Sequence, residues 1–308
     1  MYHAQPGIIA LPGSNALFLI FRVCEPAVTG RDVARIVSEI PGLTRKVGSI
    51  APRARLVCTA SFGSEFWDMI SPDRRPSALR PFREIKADGR HAPSTGGDVL
   101  LHIFSHRHDL NLELAMRVRG RLSDGVEVME EEHGFRYLDS RDLTGFIDGT
   151  ENPKTPKARA DAALIGNEDP DFACGSYVHV QRFVHDLKRW NFLSVPEQEE
   201  AIGRRKRNSK ELSARVKPSS AHISRVVIQE GGKELQIVRH SFPYGTVSES
   251  GLFFIAYCRS LDVPEKMLRR MMGAAGDGWH DTLMEYTQAV SGAHFFAPSV
   301  EVLKGFAG

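Results

Sequence analysis

Cysteine is scarce in this sequence, and the few cysteines are scattered. Four occur in 308 residues, at positions 24, 58, 174 and 258. No two of them have the CxxC spacing of zinc sites and thioredoxin-type redox sites. The sequence therefore gives little support for a cysteine-based metal or redox centre, and the scattered set is typical of reduced thiols in a cytosolic protein.

An excess of either charge is also absent. The chain has 40 Lys and Arg against 38 Asp and Glu, a formal net charge of +2. A protein whose main partner is nucleic acid usually has a pronounced basic surface. The basic run RRKR at 204–207 follows a predicted helix, where cations complement the helix dipole. No nucleic-acid partner is expected.

Long apolar runs are missing as well. The longest strongly apolar stretches, ALFLIF (16–21) and GLFFIAYC (251–258), have the length of strands and are too short to span a bilayer. The opening MYHAQPGIIALPG has no basic region followed by a long apolar stretch, so no signal peptide is recognised. We expect no membrane partner and a cytoplasmic location.

What is present is the composition of a globular protein, with 42% hydrophobic and 25% charged residues. This length can hold a large core or two domains. Patterning in the first half predicts the order β-α-β-β-α-β, with Asp109 capping the second helix. The strands are predicted at 15–23, 55–63, 98–105 and 125–138, and the helices at 30–40 and 109–122.

The second half has a similar rhythm. Ser194 and Pro196 give a strong helix start, and GGKE separates two strand-like runs that predict a hairpin. Strands are predicted at 176–187, 224–230, 235–241 and 251–258, and helices at 194–206, 264–273 and 279–290. We therefore predict an α+β fold of two duplicated ferredoxin-like halves with antiparallel sheets, of the dimeric α+β barrel type. The halves are too different for the letters alone to establish a repeat.

The predicted division places an N-terminal half at 1–140 and a C-terminal half at 141–308. Residues 141–175 form a long connection between them, and long ordered loops are often functional. The connection contains GFIDGTENP (145–153). One interpretation is a turn capped by Asp148. The other is a loop that holds Asp148 in a cleft between the two halves.

A second stretch, SSAHISRVVIQEGGKELQIVRHSFPYG (219–245), contains His222 before a predicted strand and Arg239 across the hairpin. A single histidine there is more often structural than a ligand. An arginine in an apolar strand is less usual, because a buried guanidinium needs an anionic partner. His179 and His185 share a predicted strand face, but six residues put them about 20 Å apart, too far for one metal.

Taken together, these stretches resemble the dye-decolourising peroxidase family in its short bacterial (B-type) form. The resemblance rests on QPGIIALPG, GFIDGTENP, YVHVQRFVHDLKRWN, AHISRV, IVRHSFPYG and GLFFIAYC, which occur in the family's order and cover most of the chain. It implies two ferredoxin-like halves, in agreement with the prediction above. It also implies one haem b per chain in the C-terminal half, with homo-oligomeric assembly.

The resemblance further implies roles for individual residues. His222 would be the axial iron ligand, and Asp148 and Arg239 would act on the peroxide-binding face. A carboxylate there can take and return the proton of peroxide, and a guanidinium can stabilise the departing hydroxide. Gly149, Thr150 and Glu151 would lie along the haem edge.

The resemblance implies roles for four further residues, and most of them also have a purely structural interpretation. Asp281 would bond to the far nitrogen of His222, or is an exposed helix residue. Ser241, two residues after Arg239 in the predicted strand, would reach the same pocket. Phe254 would pack over the haem, or is a core aromatic. Arg225 would pair with a haem propionate, or forms a structural ion pair.

The leading hypothesis is a haem peroxidase that reduces hydrogen peroxide and oxidises organic reductants such as dyes, phenols or porphyrin-type compounds. Tyr244, Tyr257 and Trp279 are candidate surface aromatics for the electron route. The alternative is a haem-handling protein that stores haem or releases its iron, with incidental peroxidase activity. A third possibility, a ferredoxin-like binding module without a cofactor, predicts a colourless protein.

Overall fold

The computed structural model describes residues 2–24, 30–122 and 124–307. Strands and α-helices alternate along the chain, with short 3-10 turns between some of them. The strands are β1 Asn15–Val23, β2 Val57–Gly63, β3 Ile85–Ala87, β4 Arg90–Ala92, β5 Val99–Ser105, β6 Val126–Phe135, β7 Ser176–His185, β8 Gln229–Glu230, β9 Lys233–Glu234, β10 Val238–Arg239, β11 Phe242–Gly245, β12 Ser250–Cys258, β13 Thr287–Ala289 and β14 Ala293–Ala297. The helices are α1 Gly30–Ser38, α2 Ile40–Gly48, α3 Ser64–Ile70, α4 His108–Arg119, α5 Pro156–Ala163, α6 Leu187–Phe192, α7 Val195–Ile202, α8 His222–Val226, α9 Asp262–Met272 and α10 Val300–Lys304.

Eight of the strands close into a barrel-like ring. Its order is β12-β11-β6-β1-β5-β2-β14-β7, and β7 pairs back onto β12, with antiparallel pairing throughout. The two halves of the chain meet where β6 pairs with β11 and where β2 pairs with β14. At the first junction Gly134 lies opposite Tyr244, and a Cβ on Gly134 would come within 2.5 Å of the Phe242 Cβ. Glycine is therefore needed for this close approach.

Side chains alternate between two sides of the ring. One set, including Phe18, Phe104, Val180 and Phe253, forms an apolar cluster drawn from strands around the ring. The opposite faces carry a larger cluster that packs beneath several helices. This two-sided burial explains why β1 and β5 read as nearly continuous apolar runs. No helix in the described part of the chain has the length and apolarity needed to cross a membrane.

The structure confirms the predicted strands at β1, β2, β5, β6, β7 and β12 and the helices at α1, α4, α7 and α9, with shifted ends. Ser194 caps α7 in a capping box with Glu197, as its sequence indicates. Asp109 is not a cap. Arg107 occupies the N-cap position of α4 because its backbone N–H is held by the Ser105 hydroxyl, and Asp109 lies in the first turn.

One other prediction is wrong, and another is confirmed only in part. Residues 279–290 are not a helix, because the Asp281 side chain caps a 3-10 turn and residues 287–289 pair with β7 as a strand. The hairpin over 224–241 shrinks to β8 and β9, because residues 222–226 instead form α8, in which the Ser224 hydroxyl donates to the Pro218 carbonyl.

A half-buried acid on β6 gives a stability prediction. Burial raises the pKa of Glu132 from 4.5 to about 7, against the lowering effect of Arg182. The folded protein therefore binds this proton more tightly than the unfolded chain, and the associated stability is lost as pH rises from about 4.5 to 7. We expect Glu132→Gln to raise the free energy of unfolding at pH 8 by about 1–3 kcal/mol. Denaturant unfolding at pH 5 and pH 8 measures it.

The matched control is Glu127→Gln, an exposed acid on the same strand. Equal changes for the two variants between pH 5 and pH 8 would contradict the assignment of this pH dependence to Glu132.

Candidate active site

A large cavity lies on the helix-covered face of the C-terminal half. Its walls come from β7, β12, α8, α9 and the 142–152 loop, and it encloses about 1370 Å³ of empty space including its open mouth. Most of the lining is apolar, with Phe183, Leu252 and Met267 among the side chains. Size and lining are those of a pocket for a large, mostly apolar ligand with a few fixed polar contacts.

His222 stands at the start of α8 and lines this cavity. Its Nδ1 lies 2.6 Å from Oδ2 of Asp281, whose side chain is fully buried. The other Asp281 oxygen accepts from the Leu283 N–H at 2.9 Å, which fixes the carboxylate. Because Nδ1 is engaged, Nε2 is the nitrogen left to coordinate a metal. The carboxylate makes the imidazole a more electron-rich ligand.

Asp148 and Arg239 also line the cavity and form an ion pair. Arg239 Nη2 donates to Asp148 Oδ1 at 2.8 Å, and both side chains are about one-fifth exposed. The loop that carries Asp148 turns at Gly145 (φ 90°) and Gly149 (φ 74°), conformations that favour glycine. Asn152 ties the loop to β10 by bonding both the N–H and the carbonyl of Arg239 at 2.8 Å. The turn thus does hold Asp148 in place.

The rest of the predicted haem-edge segment reaches the cavity too. Gly149, Thr150 and Glu151 line it, and Glu151 forms an ion pair with Arg204, another cavity residue. Arg204 belongs to the RRKR run, which the sequence analysis interpreted only as the basic end of a helix. Its role in the cavity wall could not be inferred, because the partner carboxylate lies 53 residues away.

Phe254 lines the cavity, whereas Arg225 and Ser241 are not among the described lining residues. Arg225 is buried, and its Nη2 donates to both carboxylate oxygens of Asp277, at 2.9 and 2.7 Å, which supports its structural interpretation. The register is unbroken from Arg239, opposite Ala256, to Phe242, opposite Phe253, so Ser241 lies opposite the cavity residue Phe254. Its hydroxyl accepts from the Ile255 N–H, and its implied place at the pocket stays a prediction.

Two of the candidate surface aromatics are not at the surface. Tyr244 and Tyr257 are buried within the apolar cluster of the ring, while Trp279 is 51% exposed. Tyr244 and Tyr257 were wrongly expected at the surface because both lie on strands of the ring, with their side chains in its buried cluster.

The sequence missed several polar side chains in the cavity wall. His179, Gln181 and His185 lie on one face of β7, and His185 bonds Asp142 at 3.2 Å and Thr287 at 2.7 Å. Polar residues at every second position of an otherwise apolar strand were a usable signal. They make one wall of the cavity more polar than the rest.

The residues present fit a haem. Within the described residues, no group of three or more His, Cys, Asp or Glu could hold a bare metal ion. A porphyrin brings its own nitrogen ligands, so the iron needs only an axial imidazole such as His222. The apolar walls suit the macrocycle, and the Asp148–Arg239 pair would place polar groups beside it of the kind that reaction with peroxide requires.

The His222–Asp281 contact predicts a mutational effect. Asp281→Asn keeps the shape but removes the charge that polarises the imidazole. We expect haem affinity or the rate of reaction with peroxide to fall about 10–100-fold. Haem titration and stopped-flow absorption measure these quantities. Asp277→Asn, which changes the partner of Arg225 instead, is the control, and an equal effect in both variants would contradict the role of Asp281.

Comparisons with known proteins identify the family of this chain. Family models described as Dyp-type peroxidase, N-terminal and C-terminal, match residues 5–136 and 139–302. A dye-decolorizing peroxidase of Mycolicibacterium paratuberculosis is 43% identical over 303 residues, which cover 97% of this chain and 85% of that protein. The encapsulated DyP-type peroxidase of Mycobacterium smegmatis has a TM-score of 0.95 at 40% identity, covering 99% and 98% of the two chains. A DypB variant of Rhodococcus jostii RHA1 in complex with heme has a TM-score of 0.92 at 39% identity, covering 96% of each chain. This chain belongs to the Dyp-type peroxidase family.

Proposed function

We propose that this haem peroxidase holds its iron through His222 and uses Asp148 and Arg239 as the acid–base and charge-stabilising pair for peroxide. The enzyme is an oxidoreductase that takes hydrogen peroxide and organic reductants such as dyes. The observation that carries the residue roles is the single cavity that His222 and the Asp148–Arg239 pair line together.

Haem held through His222 would supply the redox chemistry between peroxide and the reductant. Asp281 holds the His222 ring by its Nδ1. An oxygen of Asp148 accepts the proton from one peroxide oxygen and returns it to the other, which leaves as water. The Arg239 guanidinium stabilises the negative charge that develops on the departing oxygen. Asn152 keeps the two parts of this pair in register.

A turnover measurement separates this function from haem handling. The haem-loaded protein is mixed with excess peroxide and a dye, and the oxidised dye, the haem absorption and any released iron are followed together. The peroxidase predicts many dye molecules oxidised per haem, with the haem absorption preserved. Stoichiometric loss of haem with release of iron, and little dye oxidised, would favour the haem-handling alternative.

We further propose that the fold is a duplicated ferredoxin-like pair with halves at 1–140 and 141–308, residues 141–175 forming the connection. The strand orders support this: β6-β1-β5-β2 and β14-β7-β12-β11 are both 4-1-3-2 in chain order within their half. The boundary between the two family matches, 136 to 139, is compatible with the division.

We also propose a homo-oligomer with one haem b per chain and a cytoplasmic location. The exposed apolar side chains of Phe192 (81%) and Val195 (52%) are neighbours in sequence and could be covered by another copy. All four cysteines are free, as expected in a reducing compartment. Measurements of native mass and of haem stoichiometry test the homo-oligomer and the single haem per chain. Phenols and porphyrin-type compounds remain candidate reductants, and assays with each decide between them.

A further inference from the structure

A row of residues crosses four neighbouring strands from the cavity to the edge of the site. Arg239 on β10 lies opposite Ala256 on β12, Ala256 lies opposite His179 on β7, and His179 lies opposite His294 on β14. Residues directly opposite in antiparallel strands project to the same face. Two strand spacings put the Cα atoms of Arg239 and His179 about 10 Å apart. Arg239 and His179 both line the cavity, whereas Ala256 between them is fully buried.

The two histidines of this row are buried without adequate partners. His179 and His294 are 1% and 3% exposed, and their ring centroids are 5.1 Å apart. Among the described residues, none is in ordinary hydrogen-bond geometry with His179 Nδ1 or with either ring nitrogen of His294, although the Arg80 backbone lies close enough to His294 to act against the lowering of its pKa. Phe82 packs edge-on against both rings. Burying unpartnered polar groups costs folding free energy, so two adjacent examples beside a catalytic cavity call for an explanation.

The row continues to the protein surface. His294 Nδ1 lies 3.7 Å from Oε1 of Glu265 on α9. Glu265 is 27% exposed and forms an ion pair with Arg80 at 3.0 Å. Arg80 also pairs with Asp262, which is mostly exposed. Ionisable groups therefore follow one another from His179 in the cavity wall, through His294 and Glu265, to the solvent-exposed Asp262.

We propose that His179 and His294 form a proton relay from Glu265 at the surface to the Asp148–Arg239 pair. The proposal rests on the function proposed above. Reduction of peroxide follows H₂O₂ + 2 H⁺ + 2 e⁻ → 2 H₂O, so each turnover consumes two protons inside the cavity. The electrons come from the organic reductant and the protons from solvent.

Neutral imidazoles are suited to this role. Burial lowers the pKa of His179 to about 3, and burial together with the neighbouring His179 and Arg80 lowers the pKa of His294 to about 2. At neutral pH each ring thus keeps one N–H and one bare nitrogen. A proton arriving at the bare nitrogen is matched by release from the other, so no charge stays in the apolar wall.

The test uses haem-loaded enzyme, reacted with one equivalent of peroxide and then mixed with ferrocyanide. Ferrocyanide gives electrons without protons, so both protons come from solvent. The return of the resting absorption spectrum is timed in H₂O and D₂O for the wild type, His179→Phe and His294→Phe. We expect the return to slow at least about tenfold in each variant, with a larger solvent isotope effect. Added imidazole should restore the rate in His294→Ala.

His102→Gln is the matched control, because His102 is also fully buried with an Nε2 that has no partner among the described residues, but it lies in the other apolar cluster. Thermal unfolding of the haem-free variants checks the fold, and phenylalanine beside Phe82 should not lower the melting temperature. His294→Gln is substituted if His294→Phe does not fold.

The relay would be overturned if the folded His179→Phe and His294→Phe enzymes had the same rates and isotope effects as the wild type. Slowing without a change in isotope effect and without imidazole rescue would also overturn it, since the histidines would then only shape the cavity. Failure of the proposed function is distinguishable, because the wild type itself would then show no haem absorption or no response to peroxide.

Discussion

Replacing Arg239 by leucine is expected to lower the rate of reaction with peroxide about 10²–10³-fold while haem stays bound. The substitution removes the positive charge with which the Asp148–Arg239 pair stabilises the departing oxygen. It also leaves the Asp148 carboxylate without its 2.8 Å partner, so a negative charge faces a reaction that builds up more negative charge. Stopped-flow absorption after mixing with peroxide measures the rate, and the resting spectrum reports haem.

Arg117→Leu is the control, since Arg117 also pairs with a carboxylate, Glu113, but on α4 away from the cavity. It should leave the rate unchanged. An Arg239→Leu enzyme that reacts as fast as the wild type would refute the role assigned to the guanidinium.

The second large effect is expected for Asp148→Asn. Asparagine keeps the size of the side chain and can still accept a bond from Arg239, but its amide cannot carry the proton between the peroxide oxygens. We expect the rate to fall about 10²–10⁴-fold, the usual contribution of a positioned acid–base group. The same stopped-flow measurement applies.

The control is Asp142→Asn, because Asp142 is another acid of the cavity wall and is bonded to His185. This variant tests whether the loss of any carboxylate in the cavity slows the reaction. Comparable losses in both would contradict a specific role for Asp148. The Asp148→Asn, Arg239→Leu double variant should lose less than the sum of the two single losses in free energy, because the residues act as one unit.

The fold was largely predictable because its signals are local. Strands such as β1 and β12 carry unbroken apolar runs, and α7 has its cap, its proline and its first-turn acids within a few residues. The error at 279–290 arose because Asp281 can cap a turn as well as sit in a helix. What decided between them was pairing of β13 with β7, a contact across about 100 residues that no local pattern contains.

Some residues of the site were predictable from the sequence and others were not. Asp148, His222 and Arg239 were predicted from motif and resemblance, and the structure brings them to one cavity. Asn152 and Arg204 were missed because their partners are distant in sequence, at 87 and 53 residues.

The role of His222 as the residue that holds the haem in this cavity can be tested by absorption spectroscopy. Absorption spectra are recorded for wild-type and His222→Ala protein expressed with adequate haem, before and after one equivalent of peroxide. If His222 holds the haem, the wild type has a Soret band that shifts on adding peroxide, and the band is lost or altered in His222→Ala. Identical spectra and identical peroxide responses in the two proteins would contradict it.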